Sequence, residues 1–352
     1  MVVARTGDRA RAPEVGVTRV AVIGAGSWGT AVAAITAGNA RTTLWARRPE
    51  LASEIDAVRE NSAYLPGVRL PDTLHATASL DEACGEADVI VLGVPSHGMR
   101  AVLTEAQAYI GPKVPVVSLA KGIEQGTLAR MTEVACETLP EHDRAYVGVL
   151  TGPNLAREVA AGQPTASVVA IGDDRAAESL QQLFFSPSFR VYTNPDVIGC
   201  EMAGALKNVL AIGAGIADGL GYGDNTKAAL MTRGLAELAR LGVSMGGDPL
   251  TFAGLAGMGD LIATCSSPQS RNRHVGVELG KGRSLDDVVS EMRMVAEGVK
   301  TTAAVLELAG RHQVEMPLAS FVGRVLYEGA RPADLVPELM LRKAKPELHG
   351  MR

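Results

Sequence analysis

Gly24, Ala25, Gly26, Ser27, Trp28 and Gly29 stand between a short strand-like run, Arg19 to Ile23, and small helix-prone residues from Thr30 to Ala37. This narrows the fold more than any other feature of the chain. In a strand, turn, helix setting GxGxxG has a mechanical meaning. The first glycine permits the tight turn, the second lets a pyrophosphate approach the backbone, and the third lets the helix pack close to the strand. The helix N-terminus then offers N–H groups to the phosphates. Alone the pattern is weak, and the flanking strand and helix give it force.

A second strand, Thr42 to Ala46, should end at the residue that reads the adenine ribose, where a NAD-specific site carries Asp or Glu. Arg47 and Arg48 stand there instead. Two guanidiniums suit a 2′-phosphate, so the sequence points to NADPH (NADP), with NADH (NAD) possible. Glu50 follows Pro49 and falls too late to serve as the missing acid.

Short apolar runs alternate with helical stretches up to Tyr192, with strands expected at Arg19–Ile23, Thr42–Ala46, Val89–Val94, Val116–Ala120, Tyr146–Leu150, Ser167–Ile171 and Phe189–Val191. Such alternation predicts an α/β fold with a Rossmann-type doubly wound parallel sheet and a ligand at the strand C-terminal ends. From Pro195 to about Leu341 the strand pattern stops and an all-helical C-terminal domain is expected. The expected division is a loose tail at 1–17, a dinucleotide domain at 18–194, a helical substrate domain at 195–341 and a tail at 342–352.

The chain has 352 residues, 47% hydrophobic and 21% charged, enough for two domains with sizeable cores. A net charge of −5, no basic cluster and 4% aromatics argue against nucleic acid as a partner. Cysteines at 84, 136, 200 and 265 form no CxxC, which fits reduced thiols in a cytoplasmic protein. Six scattered histidines give no metal-ligand spacing, so no metal is expected. The long apolar run around Val197–Ile216 carries Glu201 and Lys207 and is rich in Gly and Ala, favouring a core helix over a membrane span.

Lys207 is the leading catalytic candidate. It lies beside Asn208 in a run whose other polar side chain is Glu201. An ammonium in an apolar setting must be paired or give up its proton, and a lysine with a lowered pKa can act as an acid or base near neutral pH. Other polar residues lie in glycine-rich surroundings: Lys121 beyond a central strand, Gly152 and Asn154 at a turn into a helix, Asp260 and Thr264 four apart on one helical face, and Ser270, Arg271 and Asn272 in a cluster suited to phosphate.

With these motifs in place the chain resembles the bacterial NAD(P)-dependent glycerol-3-phosphate dehydrogenase family. The likeness runs from Val22 to about Leu341 through the blocks GAGSWGT, LAKG, EMAGALKNVLAIG, DGLGYGDNTK, GMGDLIAT and SRNR. It implies reversible hydride transfer between NAD(P)H and C2 of dihydroxyacetone phosphate, giving the sn-glycerol 3-phosphate used in phospholipid synthesis, with a homodimer expected. It makes Lys207 the proton donor or acceptor and gives substrate contacts to Lys121, Gly152, Asn154, Asp260, Ser270, Arg271 and Asn272. Cofactor contacts fall to Gly24, Gly26, Ser27, Trp28, Gly29, Arg47, Arg48, Lys121, Ala156, Arg271, Val295 and Glu297. The β-hydroxyacid dehydrogenases are a rival; they pair a lysine with an asparagine four residues later, and position 211 here is Ala. A nucleotide sensor without catalysis is the other alternative.

Overall fold

A computed structural model describes residues 18–292, 296–344 and 346–347; the tail expected at 1–17 lies outside them. Eight strands, β1 (Arg19–Ile23), β2 (Arg41–Trp45), β3 (Leu74–Thr77), β4 (Val89–Leu92), β5 (Val116–Ser118), β6 (Val147–Thr151), β7 (Thr165–Ala170) and β8 (Phe189–Asn194), build one sheet. Their order is β3-β2-β1-β4-β5-β6-β7-β8. The chain's direction of travel across the sheet reverses between β1 and β4, which opens a crevice at the strand C-termini. β1, β4 and β5 read RVAVI, VIVL and VVS and are buried along nearly their whole length, as parallel strands covered by helices on both faces must be. Alternate residues feed two cores: Val20 and Val22 pack with one layer, Ala21 and Ile23 with the other.

The doubly wound fold is as expected, with two differences. β3, with sequence LHAT, was not among the seven expected strands; it is a four-residue edge strand with His75 turned outward, too short and too polar to show a periodicity. β7 also runs antiparallel to β6 and β8 runs parallel to β7, so the last two strands lie opposite in direction to the other six. The connection from β6 to β7 holds a single five-residue helix, Ala156–Ala160. At ~1.5 Å per residue it spans too little to carry the chain back along a strand, and the chain turns straight into the sheet instead.

Beyond β8 the described residues are helical, arranged around a central helix, Val197–Gly219, whose residues from Gly199 to Ala217 are all buried. This helix is long and apolar enough to cross a membrane, but 89% of that window is enclosed by the protein itself. Asp196 caps it, its carboxylate accepting from Gly199 N at 2.7 Å. Its buried Glu201 fastens it to the sheet layer, accepting from Thr132 N at 2.9 Å, Thr132 Oγ1 at 2.6 Å and Arg130 at 2.9 Å.

Glu237 gives the helical layer a pH dependence. It sits on the helix Asp224–Ser244 and accepts from Leu318 N at 2.8 Å and Ala319 N at 3.3 Å, at the start of the helix Pro317–Tyr327. Burial pushes its pKa up to about 7, and the two N–H bonds with Arg240 and Arg233 offset this only in part. The folded form therefore keeps a proton over a range where the unfolded chain has lost it. That contribution is present at acid pH and is lost as pH rises through about 7. It amounts to roughly 3 kcal/mol. Glu237→Gln should accordingly raise the Tm above wild type at pH ~8, with the gap closing near pH 5, in paired thermal melts. A variant less stable than wild type at the higher pH would contradict this.

Candidate active site

The turn after β1 is closed to side chains where the backbones cross and open where a ligand could lie. Gly24 has φ 121°, and a Cβ on it would fall 2.7 Å from the Gly93 carbonyl carbon; one on Gly29 would fall 2.0 Å from Gly24 O. A Cβ on Gly26 meets nothing within 4 Å. The helix Ser27–Thr36 begins there with no side-chain cap and no acid in its first turn, leaving its positive end to an anion. These features fit a dinucleotide pyrophosphate. Ser27 Oγ donates to Tyr64 O at 2.6 Å, and Trp28 packs on Phe189 with centroids 6.1 Å apart, its buried Nε1 without a hydrogen-bond partner among the described residues. Arg47 and Arg48 follow β2 and are exposed.

A polar centre gathers at the C-terminal ends of β5 and β6, where the central helix crosses. Lys207, 4% exposed, has its ammonium 3.0 Å from Asp260 Oδ1 and donates to Thr264 Oγ1 at 2.5 Å. The other Asp260 oxygen takes Lys121 Nζ at 2.6 Å. Lys121 also donates to Gly152 O at 3.0 Å and Asn154 Oδ1 at 2.7 Å. Thr264 donates back to Asp260 at 3.2 Å, so the i,i+4 pair on the helix Asp260–Ser266 acts as one unit. A single π-helical turn, Leu255–Gly259, leads directly into Asp260. Of the two outcomes open to a buried lysine, the structure shows the paired one.

Two ammoniums on one carboxylate leave the centre cationic, which suits an anionic substrate. The Lys121 pKa is pushed down to about 8, chiefly by burial and further by Lys207, with Asp260 opposing. Burial also raises the Glu297 carboxyl above its usual range, against Ser96 N and the cations Arg271, Lys207 and Lys121. Arg271 reaches solvent yet is crowded by protein, which draws its pKa down while Glu297 raises it.

Ser270, Arg271 and Asn272 open the helix Arg271–Gly280, with Ser270 Oγ capping Arg273 N at 3.2 Å. A relay that the sequence does not announce joins this helix start to the lysines. Asn208 Nδ2 donates to Lys121 O at 2.9 Å, Asn272 Nδ2 donates to Asn208 Oδ1 at 3.0 Å, and Gly298 N donates to Asn272 Oδ1 at 2.9 Å. The only signal for Asn208 was its position beside Lys207 in an apolar helix. Glu297 starts the helix Glu297–Arg311 and accepts from Ser96 N at 3.2 Å, tying it to the loop after β4. Ala156 is the first residue of the short helix after β6. Val295 lies outside the described residues. Cavities of about 500 Å³ among the C-terminal helices and about 440 Å³ beside β3 are lined by none of these residues. Among the described residues no group of three His, Cys, Asp or Glu is arranged to hold a metal ion.

Residues 19–177 match the N-terminal model of NAD-dependent glycerol-3-phosphate dehydrogenase and residues 196–337 match its C-terminal model. The chain belongs to the NAD-dependent glycerol-3-phosphate dehydrogenase family. It is 55% identical over 332 residues to glycerol-3-phosphate dehydrogenase [NAD(P)+] 2 of Sphingopyxis alaskensis, covering 94% of this chain and 98% of that one. Identity to the Thermobifida fusca glycerol-3-phosphate dehydrogenase [NAD(P)+] is 51% over 338 residues, covering 95% and 100%. A crystal structure of the Coxiella burnetii glycerol-3-phosphate dehydrogenase superposes with a TM-score of 0.88 at 38% identity, over 93% of this chain and 99% of that one. Family membership makes the chain an NAD(P)-dependent oxidoreductase with a Rossmann-like N-terminal part and a helical C-terminal part.

Proposed function

We propose that the protein interconverts dihydroxyacetone phosphate and sn-glycerol 3-phosphate, the latter serving phospholipid synthesis. The observation that carries this reading is the buried Lys207–Asp260–Lys121 centre, with contacts of 3.0 and 2.6 Å, in a chain whose turn after β1 of the same sheet is open at Gly26. NAD(P)H, when bound, supplies the hydride. An alkoxide developing at C2 takes a proton from Lys207 Nζ, which recovers it in the reverse direction. Asp260 orients both ammoniums, and Lys121 adds positive charge where the oxyanion forms. Ser270, Arg271 and Asn272 hold the phosphate at a helix N-terminus, so its binding energy fixes C2 relative to Lys207. Gly152 and Asn154 act on substrate by holding Lys121.

Gly24, Gly26, Ser27, Trp28 and Gly29 seat the pyrophosphate, and Ala156, Glu297, Lys121 and Arg271 border the nicotinamide half. The reading includes a cytoplasmic location, which the dispersed free thiols fit, and a homodimer, which sedimentation would test.

The depressed Lys121 pKa sets a pH dependence. Its ammonium is lost as pH rises through about 8, so kcat/KM for ketone reduction should fall along a basic limb near that value. Lys121→Arg should move the limb out of the accessible range, because arginine keeps its proton. Asp260→Asn should move it lower, because Asp260 raises the Lys121 pKa. A limb unchanged in both variants removes Lys121 from the account.

Cofactor choice rests on Arg47 and Arg48. Replacing both with serine should weaken NADPH binding by roughly 2 kcal/mol, the order of a charge-assisted contact, and leave NADH nearly unchanged. The difference should narrow at high salt, since both side chains are exposed. Equal wild-type dissociation constants for the two nucleotides, read by fluorescence titration, would withdraw the NADPH preference.

A further inference from the structure

The block Asp218–Lys227 contributes no residue to the polar centre, yet its first member grips the substrate helix from behind. Asp218 Oδ2 takes Arg273 Nε at 2.8 Å and the terminal guanidinium nitrogen at 2.6 Å, while Oδ1 lies 3.4 Å from Lys227 Nζ. Both partners are largely shielded, with Asp218 14% and Arg273 22% exposed along their side chains. Arg273 lies two residues beyond Arg271, and its own N–H is capped by Ser270.

The helix Arg271–Gly280 crosses the central helix at glycines on both sides. A Cβ on Gly215 would fall 2.1 Å from Arg273 O, and one on Gly276 would fall 2.0 Å from Ile212 O. At the glycines backbone meets backbone with no side chain between, so the register of one helix on the other depends on the side chains that flank the crossing, the buried Val275 and Leu279 among them. The Asn208–Asn272 hydrogen bond of 3.0 Å contributes to it near Lys207, and the Asp218–Arg273 pair contributes to it on the side of Arg273.

We propose that Asp218 is a positioning residue: by holding Arg273 it fixes the register of the substrate helix, and with it the alignment of Ser270, Arg271 and Asn272 on the phosphate. It also keeps the Arg273 guanidinium engaged, so that the second arginine of SRNR does not compete for the anion. This rests on the reading of that helix start as the phosphate site.

The test is a cycle of Asp218→Asn, Arg273→Gln, the double variant, and the charge swap combining Asp218→Arg with Arg273→Asp, all at matched thermal stability. Each single variant should raise KM for dihydroxyacetone phosphate about tenfold, with kcat changed less than about threefold and the NADPH dissociation constant unmoved. The double variant should add nothing beyond a single one, and the charge swap should recover part of the KM. In Asp218→Asn, amide hydrogen exchange should quicken across Arg271–Gly280 while the central helix keeps its protection, and calorimetry should show weaker inorganic phosphate binding. KM within twofold of wild type, additive losses, or unchanged exchange in the substrate helix would each overturn the proposal. The exchange and phosphate measurements do not need turnover, so a wild type inactive on dihydroxyacetone phosphate would defeat the functional reading separately.

Discussion

Replacing Lys207 with methionine is expected to lower kcat for ketone reduction by at least ~100-fold while the NADPH dissociation constant stays within about twofold. Methionine has similar length and suits the apolar helix, so packing of the 4%-exposed position is kept while the proton is removed. Asp260 retains Lys121 at 2.6 Å and is not left as an unpaired buried charge. The nucleotide turn at Gly24–Gly29 belongs to a different part of the chain, which is why cofactor binding should survive. Lys207→Arg should fail as well, because a guanidinium cannot cycle a proton near neutral pH. A methionine variant keeping more than about a tenth of wild-type kcat would end the acid/base assignment, since such catalysis contributes a hundredfold or more.

Arg271→Ala is expected to reduce kcat/KM for dihydroxyacetone phosphate by about 100-fold, through a higher KM and a lower kcat together. The phosphate clamp both binds and positions, so its loss should appear in both constants. Dihydroxyacetone without phosphate is the decisive control. It should be a very poor substrate of wild type and be hardly affected by the substitution. Equal proportional losses on both substrates would show that Arg271 supports the fold or the cofactor and does not clamp phosphate. The interaction of Arg271 with Glu297 makes a smaller change in NADPH binding a useful secondary readout.

What the sequence made legible was local. The Gly24–Gly29 turn is readable because a strand and a helix flank it within a few residues, and the central helix is readable because Lys207 and Glu201 interrupt an apolar run. β3 was not, because LHAT gains its strand character only from pairing Thr42 with Leu74 through Trp45 with Thr77 at the sheet edge. Nor was the reversal of β7, which follows from the shortness of the helix Ala156–Ala160 rather than from the strand itself. The candidate site divides in the same way. Asp260 and Thr264 share a face by helical spacing alone. The meeting of Lys121 with Asp260 spans 139 residues, and that of Asn208 with the Lys121 carbonyl spans 87. Contacts of that range have no periodicity to betray them, so the Asn208–Asn272–Gly298 relay and the Glu201 fastening appear only in three dimensions.

The central claim is that the buried lysine centre reduces a phosphorylated ketone, and its most direct measurement is NADPH oxidation by the purified wild-type protein, followed by absorbance. Dihydroxyacetone phosphate, dihydroxyacetone and a set of β-keto acids would be compared at equal concentration. The account predicts rapid oxidation with dihydroxyacetone phosphate, formation of sn-glycerol 3-phosphate in equal amount, and a kcat/KM at least ~100-fold above that for the unphosphorylated ketone. Oxidation with a β-keto acid in preference to dihydroxyacetone phosphate, or binding of NADPH with no oxidation by any ketone, would contradict it.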